Sequence, residues 1–177
     1  MQHTQSYHSP LGDLLLAADG TGLTGVWFQG QKYFACTLDP DHAAGNNQAL
    51  EQAKAWLDCY FSGREPDFFV PLHLEGSDFQ LRVWALLRAI PYGSTVTYGE
   101  LAKRLAADRG LPHLSAQAVG GAVGRNPISI LIPCHRVVGS GGSLTGYAGG
   151  VEKKRGLLRL EGLDPDRLSP LRPGQPR

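Results

Sequence analysis

The sequence predicts an α/β protein of the α+β kind, in which a small N-terminal antiparallel sheet and one helix precede a mainly helical C-terminal part. Three observations support this order. Residues 5–35 alternate short apolar runs with turn signals such as Asp19-Gly20, a pattern typical of hairpins. Residues 47–61 carry apolar side chains at helical spacing. Beyond residue 76, capping motifs precede further apolar runs of helical spacing.

The formal net charge of +1 conceals an uneven distribution along the chain. Residues 1–76 contain three Lys/Arg and nine Asp/Glu, a charge of −6, whereas residues 77–177 contain fourteen and seven, a charge of +7. The division predicts a supporting domain over residues 1–76 and a second domain over residues 77–164 whose partner is a polyanion. Solvated faces that merely differ in sign are the simpler alternative. The Pro-rich residues 165–177 are predicted to be a disordered tail.

Several classes of protein do not fit the composition. No stretch is long and apolar enough to span a membrane, and the first residues lack a signal-peptide pattern, so a soluble cytoplasmic protein is expected. Cys36, Cys59 and Cys134 are odd in number and widely spaced, which suits neither a disulfide framework nor a zinc site. We expect no structural metal and no cofactor.

The N-terminal domain carries no recognisable chemistry. After the sheet, residues 36–46 are predicted to be loop, and a helix is predicted from about Asn47 to Phe61. Phe68–Leu72 is predicted to be a connecting or edge strand, because Pro71 cannot donate a hydrogen bond in a central one.

The C-terminal part is predicted to contain four helices. Ser77 with Gln80 and Thr97 with Glu100 have the spacing of capping boxes, and Ser115 is a candidate N-cap for a third helix. Two helices joined by a loop and followed by strands resemble a winged helix-turn-helix, whose second helix contacts nucleic acid. The glycine-rich residues 139–150 would form a wing or mobile loop, and a last helix is predicted over residues 151–161.

Small and turn-forming residues mark the third helix and its end. Gly120 and Gly121 lie mid-helix, where each costs about 1 kcal/mol relative to Ala. Close approach of another backbone, from this protein or from DNA, would account for them. Asn126-Pro127 follows as a stiff joint, since proline restricts the residue before it.

The segment after this joint carries the candidate nucleophile. Residues 128–132 are predicted to be a short buried strand that stops at Pro133 and presents Cys134 beside His135. A thiol with a pKa of about 8.5 needs a general base to react at neutral pH, and an imidazole orientated by a carboxylate such as Glu161 supplies one. Neighbours on a strand point to opposite faces, so either the chain turns sharply here or a water relays the proton. A buried core cysteine is the alternative.

Beyond the chemistry, the order of motifs resembles a known family. The run IPCHRV, preceded by GRNPISIL and followed by GYAGG and LLRLEG, is similar to the O6-alkylguanine-DNA alkyltransferases from about Phe79 to Gly162. The resemblance implies direct-reversal DNA repair by a monomeric, suicidal methyltransferase that acts from the minor groove of double-stranded DNA. Such a protein flips an alkylated guanine, or alternatively an O4-alkylthymine, and moves the alkyl group irreversibly to its own cysteine.

The resemblance also assigns roles to residues. Cys134 would be the acceptor, His135 a base acting through a water, Glu161 its orientating carboxylate and Asn126 the hinge. Tyr98 would assist phosphate rotation and O6 protonation. Three residues would line the guanine pocket: Val137, Tyr147 and Ala148. The remaining DNA-binding residues would be Gln117, Gly120, Gly121, Arg125 and Arg136.

One position departs from the family pattern. The family usually has an arginine that fills the gap left by the flipped base, and Gln117 stands there. Glutamine can donate a hydrogen bond but lacks the charge and the stacking guanidinium, so weaker DNA affinity is expected.

Three other functions compete with alkyl transfer. A silent lesion-binding relative would lack the reactive cysteine, which is present. A winged-helix regulator would use Cys134 as a sensor or as core. A cysteine hydrolase would need an oxyanion hole, and no such motif stands out.

Overall fold

The computed structural model describes residues 1–144 and 146–168 of the 177-residue chain. Two compact units are present, the first formed by residues 1–75 with 127–129 and the second by residues 76–126 with those from 130 onward. The division falls one residue before the predicted boundary. It also places Pro127–Ser129 in the first unit, although the sequence-based boundary assigned them to the second.

The first unit is built on a four-stranded sheet of order β3-β2-β1-β4. β1 (Gln2–Ser9), β2 (Gly12–Ala18) and β3 (Leu23–Phe28) are antiparallel, as predicted. The Asp19 carboxylate accepts from the backbone N–H groups of Thr21 and Gly22, at 2.8 and 3.1 Å, and closes the turn between β2 and β3. The prediction of loop over residues 36–46 is wrong at β4 (His42–Ala44), which pairs in parallel with β1. This pairing partner lies 40 residues away along the chain, beyond the reach of a local pattern.

One helix packs on this sheet. α1 (Gln48–Phe61) begins after Asn47, whose side chain accepts from the Leu50 N–H at 2.9 Å. Its buried face contains Leu50, Ala53, Leu57 and Tyr60. The predicted strand over residues 68–72 is reduced to a single bridge between Leu72 and Leu23.

The second unit contains the four predicted helices, α2 (Asp78–Arg88), α3 (Tyr98–Asp108), α4 (Ala116–Gly124) and α5 (Val151–Leu160). The capping box of Ser77 and Gln80 is complete, and Thr97 and Ser115 each accept an N-terminal backbone N–H at 3.1 Å. A short parallel pair joins β5 (Val96–Thr97) to β6 (Val137–Val138). The helix-turn-helix order is therefore confirmed, with α3 and α4 as its two helices. None of the helices in the described ranges combines the length and apolar character needed to cross a membrane.

The predicted strand over residues 128–132 is not present. Within this segment only Ile128 forms a bridge, to Val26. The Val26 N–H donates to the Pro127 carbonyl and the Ser129 N–H donates to the Val26 carbonyl, both at 2.9 Å. The chain then turns through Ile130, whose φ of 72° is unusual for a β-branched residue. Ile128, Ile130 and Ile132 are each at most 1% exposed. Their apolar composition predicted their burial correctly. It did not predict the backbone conformation, because a short apolar run is compatible with a buried turn as well as with a buried strand.

The C-terminal end of the described chain is also folded. α5 buries Leu157 and Leu158 as expected. Val151, which was also expected to be buried, is 42% exposed, whereas Lys154 is fully buried. Leu168 is 7% exposed, so the prediction of disorder from residue 165 is wrong up to this residue. Residues 169–177 of the predicted tail lie outside the described ranges.

Candidate active site

The cysteine lies in a tight turn. Pro133 precedes a 3₁₀ turn over Cys134–Arg136, and the Cys134 N–H donates to the Ile132 carbonyl at 2.8 Å. This turn answers the question left open by the adjacent Cys134 and His135, because the backbone is not extended there. Cys134 is 7% exposed, so the thiol is buried and does not lie open on the surface as the predicted strand end implied.

Asn126 links the end of α4 to this turn. Its side-chain amide donates to the Ile132 carbonyl at 2.8 Å, and the residue is 6% exposed. Burial raises the pKa of the Cys134 thiol, while a hydrogen bond from the Asn126 side chain and the charge of Lys154 act in the opposite direction. Asn126 therefore stabilises the thiolate relative to the thiol and holds the turn that presents it.

His135 and Glu161 form a buried pair. His135 Nε2 lies 2.5 Å from Glu161 Oε2, and both side chains are inaccessible to solvent. Burial alone would raise the pKa of Glu161, but its bonds to His135 and Arg136 hold that pKa at about 2. Burial lowers the pKa of His135 despite the neighbouring carboxylate. Since an ionised carboxylate only accepts hydrogen bonds, Nε2 carries the proton and Nδ1 is the basic nitrogen of the neutral ring.

Glu161 is held in place at its second oxygen. Arg136 Nε donates to Oε1 at 2.8 Å, and the Gly93 N–H donates to the same atom at 2.9 Å. Arg136 also donates to the Ile90 carbonyl at 2.8 Å and is only 8% exposed. The structure thus places Arg136 in the carboxylate network, which corrects the expectation of a DNA-contacting side chain.

Lys154 is a site residue that the sequence reasoning missed. It is fully buried, and its Nζ donates to the Val137 carbonyl at 2.6 Å. Burial lowers the pKa of Lys154 to about 8, with the nearby Cys134 acting in the opposite direction. A signal was available, because Lys154 lies three and four residues before Leu157 and Leu158 and so shares their buried helical face.

Tyr98 lies at the start of α3 and close to the thiol. Burial raises its pKa to about 12, and the charge of Cys134 contributes to the rise. A side-chain carbon at Gly120 would lie 3.8 Å from the Tyr98 ring, and one at Gly146 would lie 3.1 Å from the Tyr98 hydroxyl. Gly120 thus packs beside a tyrosine, whereas a side chain at Gly121 would meet nothing within 4 Å.

The other predicted site residues fall into two groups. Gln117, Gly121 and Arg125 are exposed and, at intervals of four residues, share one face of α4 and its C-cap. Val137 is fully buried, Tyr147 is 9% exposed and Ala148 is partly buried. Among the described residues, no group of three or more His, Cys, Asp or Glu side chains is arranged to hold a metal ion.

Comparisons with known proteins agree with this arrangement. Residues 78–163 match the family model described as 6-O-methylguanine DNA methyltransferase, DNA binding domain, and residues 3–74 match its ribonuclease-like domain. The similarity therefore extends over the N-terminal half as well, beyond the motifs between Phe79 and Gly162.

Individual relatives cover most of the chain. A methylated-DNA--protein-cysteine methyltransferase of Mycobacterium tuberculosis is 45% identical over 165 residues, 91% of this chain and 93% of the relative. A protein of the same name from Methanosarcina acetivorans is 46% identical over 157 residues, 88% and 96% of the two chains.

Solved structures give the same result. The crystal structure of Mycobacterium tuberculosis O6-methylguanine methyltransferase has a TM-score of 0.76 at 44% identity, covering 91% of this chain and 93% of that one. A structure of the Mycobacterium tuberculosis protein in complex with DNA has a TM-score of 0.78 at 42% identity and covers 95% of each chain. On the identity and coverage of these relatives, the chain belongs to the 6-O-methylguanine DNA methyltransferase family.

Proposed function

We propose that this protein repairs O6-alkylguanine in double-stranded DNA by transferring the alkyl group to Cys134. A bond forms between Sγ and the alkyl carbon as the bond from that carbon to O6 breaks, and the guanine takes up a proton. The observation that carries the proposal is the environment of the Cys134 thiol. The thiol is buried in a turn that the Asn126 side chain holds by a hydrogen bond, and the positive charge of Lys154 acts on it. A thioether has no thiolate left to react, so each molecule acts once.

Removal of the thiol proton is assigned to His135. Burial favours the neutral imidazole, and the Glu161 carboxylate holds the proton on Nε2. Nδ1 is then free of its own proton and takes the one released by Cys134, through a water as the family resemblance implies. The resulting imidazolium is stabilised by the adjacent carboxylate, as in other triads.

Protonation of the leaving guanine is assigned to Tyr98. Its pKa of about 12 keeps the phenol protonated at neutral pH, so the hydroxyl is a donor. A donor aimed at the position where negative charge develops lowers the barrier to transfer. Tyr98 also lies at the first turn of α3, where it would assist rotation of the DNA phosphate.

Recognition of the lesion is assigned to α4 and the segment after β6. O6 of a stacked guanine is out of reach of a buried thiol, so the base must leave the duplex. The exposed face of Gln117, Gly121 and Arg125 would enter the minor groove, with the open space at Gly121 admitting the DNA backbone. Val137, Tyr147 and Ala148 would line the pocket for the flipped base.

A labelled substrate tests the proposal. Incubation with a duplex carrying radiolabelled O6-methylguanine should place one label per molecule on Cys134, and Cys134→Ala should keep DNA binding but lose transfer. Repeated turnover would favour a cysteine hydrolase. Binding of the lesion without transfer would favour a silent lesion-binding protein. If the protein neither binds the lesion nor transfers the label, a winged-helix regulator would be favoured. The same assay with O4-methylthymine measures the breadth of the activity.

The cellular setting is part of the proposal. We place the reaction in the cytoplasm, at the nucleoid, with a monomer as the active species. Fractionation of cells and sedimentation of the protein with and without duplex DNA would test both statements.

A further inference from the structure

A small apolar core lies beside the proposed substrate pocket. It consists of Val138 in β6, Leu158 in α5 and Leu168, which are 1%, 0% and 7% exposed, with Leu144 and Leu163 packed against it. Val138 directly follows the pocket residue Val137, and Leu144 lies on the way to Tyr147. This core therefore joins both ends of the segment 138–144 to the chain that follows α5.

A close backbone contact strengthens this connection. Gly142 has a φ of 83°, and a side-chain carbon there would lie 1.8 Å from the Leu168 carbonyl oxygen. Gly141 has a similar φ of 73°, yet a side-chain carbon there would meet nothing within 4 Å. The absence of a side chain at Gly142 is thus required by the approach of Leu168 and not by backbone conformation alone.

An ion pair and two hydrogen bonds hold the segment that contains Leu168. Asp166 forms an ion pair with Arg155 of α5, and the Asp166 N–H donates to the Asp164 carboxylate at 3.0 Å. The Arg167 N–H donates to the Asp164 carbonyl at 3.0 Å. These bonds make residues 164–168 a folded turn against α5.

The loop held in this way leads to the site. Its own hydrogen bonds, from Gly142 to the Gly139 carbonyl at 3.1 Å and from Gly139 to the Ser143 carbonyl at 2.8 Å, close it into a compact turn. The chain then reaches Gly146, next to the Tyr98 hydroxyl, and Tyr147. A shift at Gly142 would displace these residues relative to the thiol.

We propose that Asp164–Leu168 is a positioning element for the substrate loop, with Leu168 as the anchor that holds residues 139–144 and 146–148 at the distance a flipped guanine requires. The role of the loop in binding guanine rests on the proposed function. Leu168 packs against Val138 and Leu158, so its effect is expected on placement of the base and not on the thiol.

Two rates measured on the same variant test this. In Leu168→Ala we expect single-turnover transfer from an O6-methylguanine duplex to slow about tenfold, because small displacements of a bound substrate are costly. In a Cys36→Ser, Cys59→Ser background, where Cys134 is the remaining thiol, reaction with 4,4′-dithiodipyridine needs no guanine pocket. Its rate in Leu168→Ala should stay within about twofold of the rate in the same background without the Leu168 change. Leu81→Ala, at a 37% exposed leucine on α2, is the matched control and should change neither rate. Equal slowing of both reactions, or no slowing of transfer, would overturn the proposal.

A glycine pair and hydrogen exchange provide readouts that separate the anchor from general stability. Gly142→Ala should slow transfer as Leu168→Ala does, whereas Gly141→Ala, with similar strain but open space, should slow it much less. Amides of residues 139–143 should exchange faster in Leu168→Ala than in Leu168→Met, which keeps most of the buried volume. The exchange measurement does not depend on activity, so an inactive unmodified protein would refute the proposed function alone. Unchanged exchange in Leu168→Ala would refute the anchor.

Discussion

Arg136 and His135 bind the two different oxygens of one buried carboxylate, Glu161, at 2.8 and 2.5 Å. Because the Gly93 N–H also donates to the oxygen held by Arg136, the carboxylate has one orientation in which the other oxygen faces the imidazole. Arg136 thus acts on the proposed base, His135, through Glu161. The fact that Arg136 follows His135 in the sequence does not reveal this connection.

Replacement of Arg136 should therefore change the pH dependence of transfer. Burial is the main cause that lowers the pKa of His135, and the charge of Arg136 acts in the same direction, so Arg136→Met should raise that pKa. We expect transfer at pH 7 to fall by about tenfold to a hundredfold and to recover in part at higher pH. Single-turnover rates between pH 6 and 9 measure this, with Arg136→Lys as the conservative variant. A uniform loss across the range would indicate a structural role only.

Acid stability should depend on Glu161. Its pKa is about 2 in the folded protein against an ordinary value of 4.5, so the unfolded chain binds this proton first. Glu161 then contributes on the order of 3 kcal/mol above pH 4.5, and this contribution is lost as the pH falls from 4.5 towards 2. Urea unfolding at pH 7 and pH 3 should show a smaller difference in Glu161→Gln than in the unmodified protein. An equal difference in both would contradict the buried pair.

Lys154 should matter for the reactivity of the thiol. Its positive charge lowers the pKa of Cys134 against the effect of burial, so Lys154→Met should raise the thiol pKa. We expect alkyl transfer to slow by about tenfold or more at neutral pH, since less thiolate is available. The difference in ultraviolet thiolate absorbance between each protein and its Cys134→Ala variant, followed in a pH titration, measures the shift. Arg159→Met, at an exposed residue of the same helix, is the control and should leave the titration unchanged.

Gln117 should limit DNA affinity. Gln117→Arg adds a cation to the exposed face of α4, so it should tighten duplex binding and steepen the dependence of log K on log salt by about 0.9. Fluorescence anisotropy at several salt concentrations measures both quantities. Gln48→Arg, which adds the same charge at the start of α1, should leave both nearly unchanged. No gain in affinity or repair rate from Gln117→Arg would contradict the assignment of this position.

Local motifs were the most predictable part of the fold. The caps at Ser77, Thr97 and Ser115 each bind a backbone N–H three residues further on. Such bonds need no distant partner, so their spacing in the sequence is sufficient to place a helix start. The same holds for the asparagine before α1.

The candidate chemistry was predictable only in outline. Cys134 beside His135, with a carboxylate at the end of the last helix, is visible as residue types in order. A sharp turn at Cys134 was one of two alternatives that the sequence left open, because apolar residues at alternate positions occur in strands and in buried turns alike. Lys154 was overlooked because a lysine is almost never fully buried unless it is paired, and no local pattern identifies the Val137 carbonyl as a partner.

By itself, the sequence determined the helix starts, the antiparallel hairpins, the candidate nucleophile and the charge of the C-terminal half. These depend on residues within a few positions of one another or on composition. Only the tertiary structure decided that residues 127–129 pair with β3, that Arg136 faces Glu161 and that Leu168 packs against β6. Each of these is a contact between distant parts of the chain. Its stabilising free energy comes from the burial of side chains and backbone groups whose partners are far away in the sequence, so no local pattern identifies them.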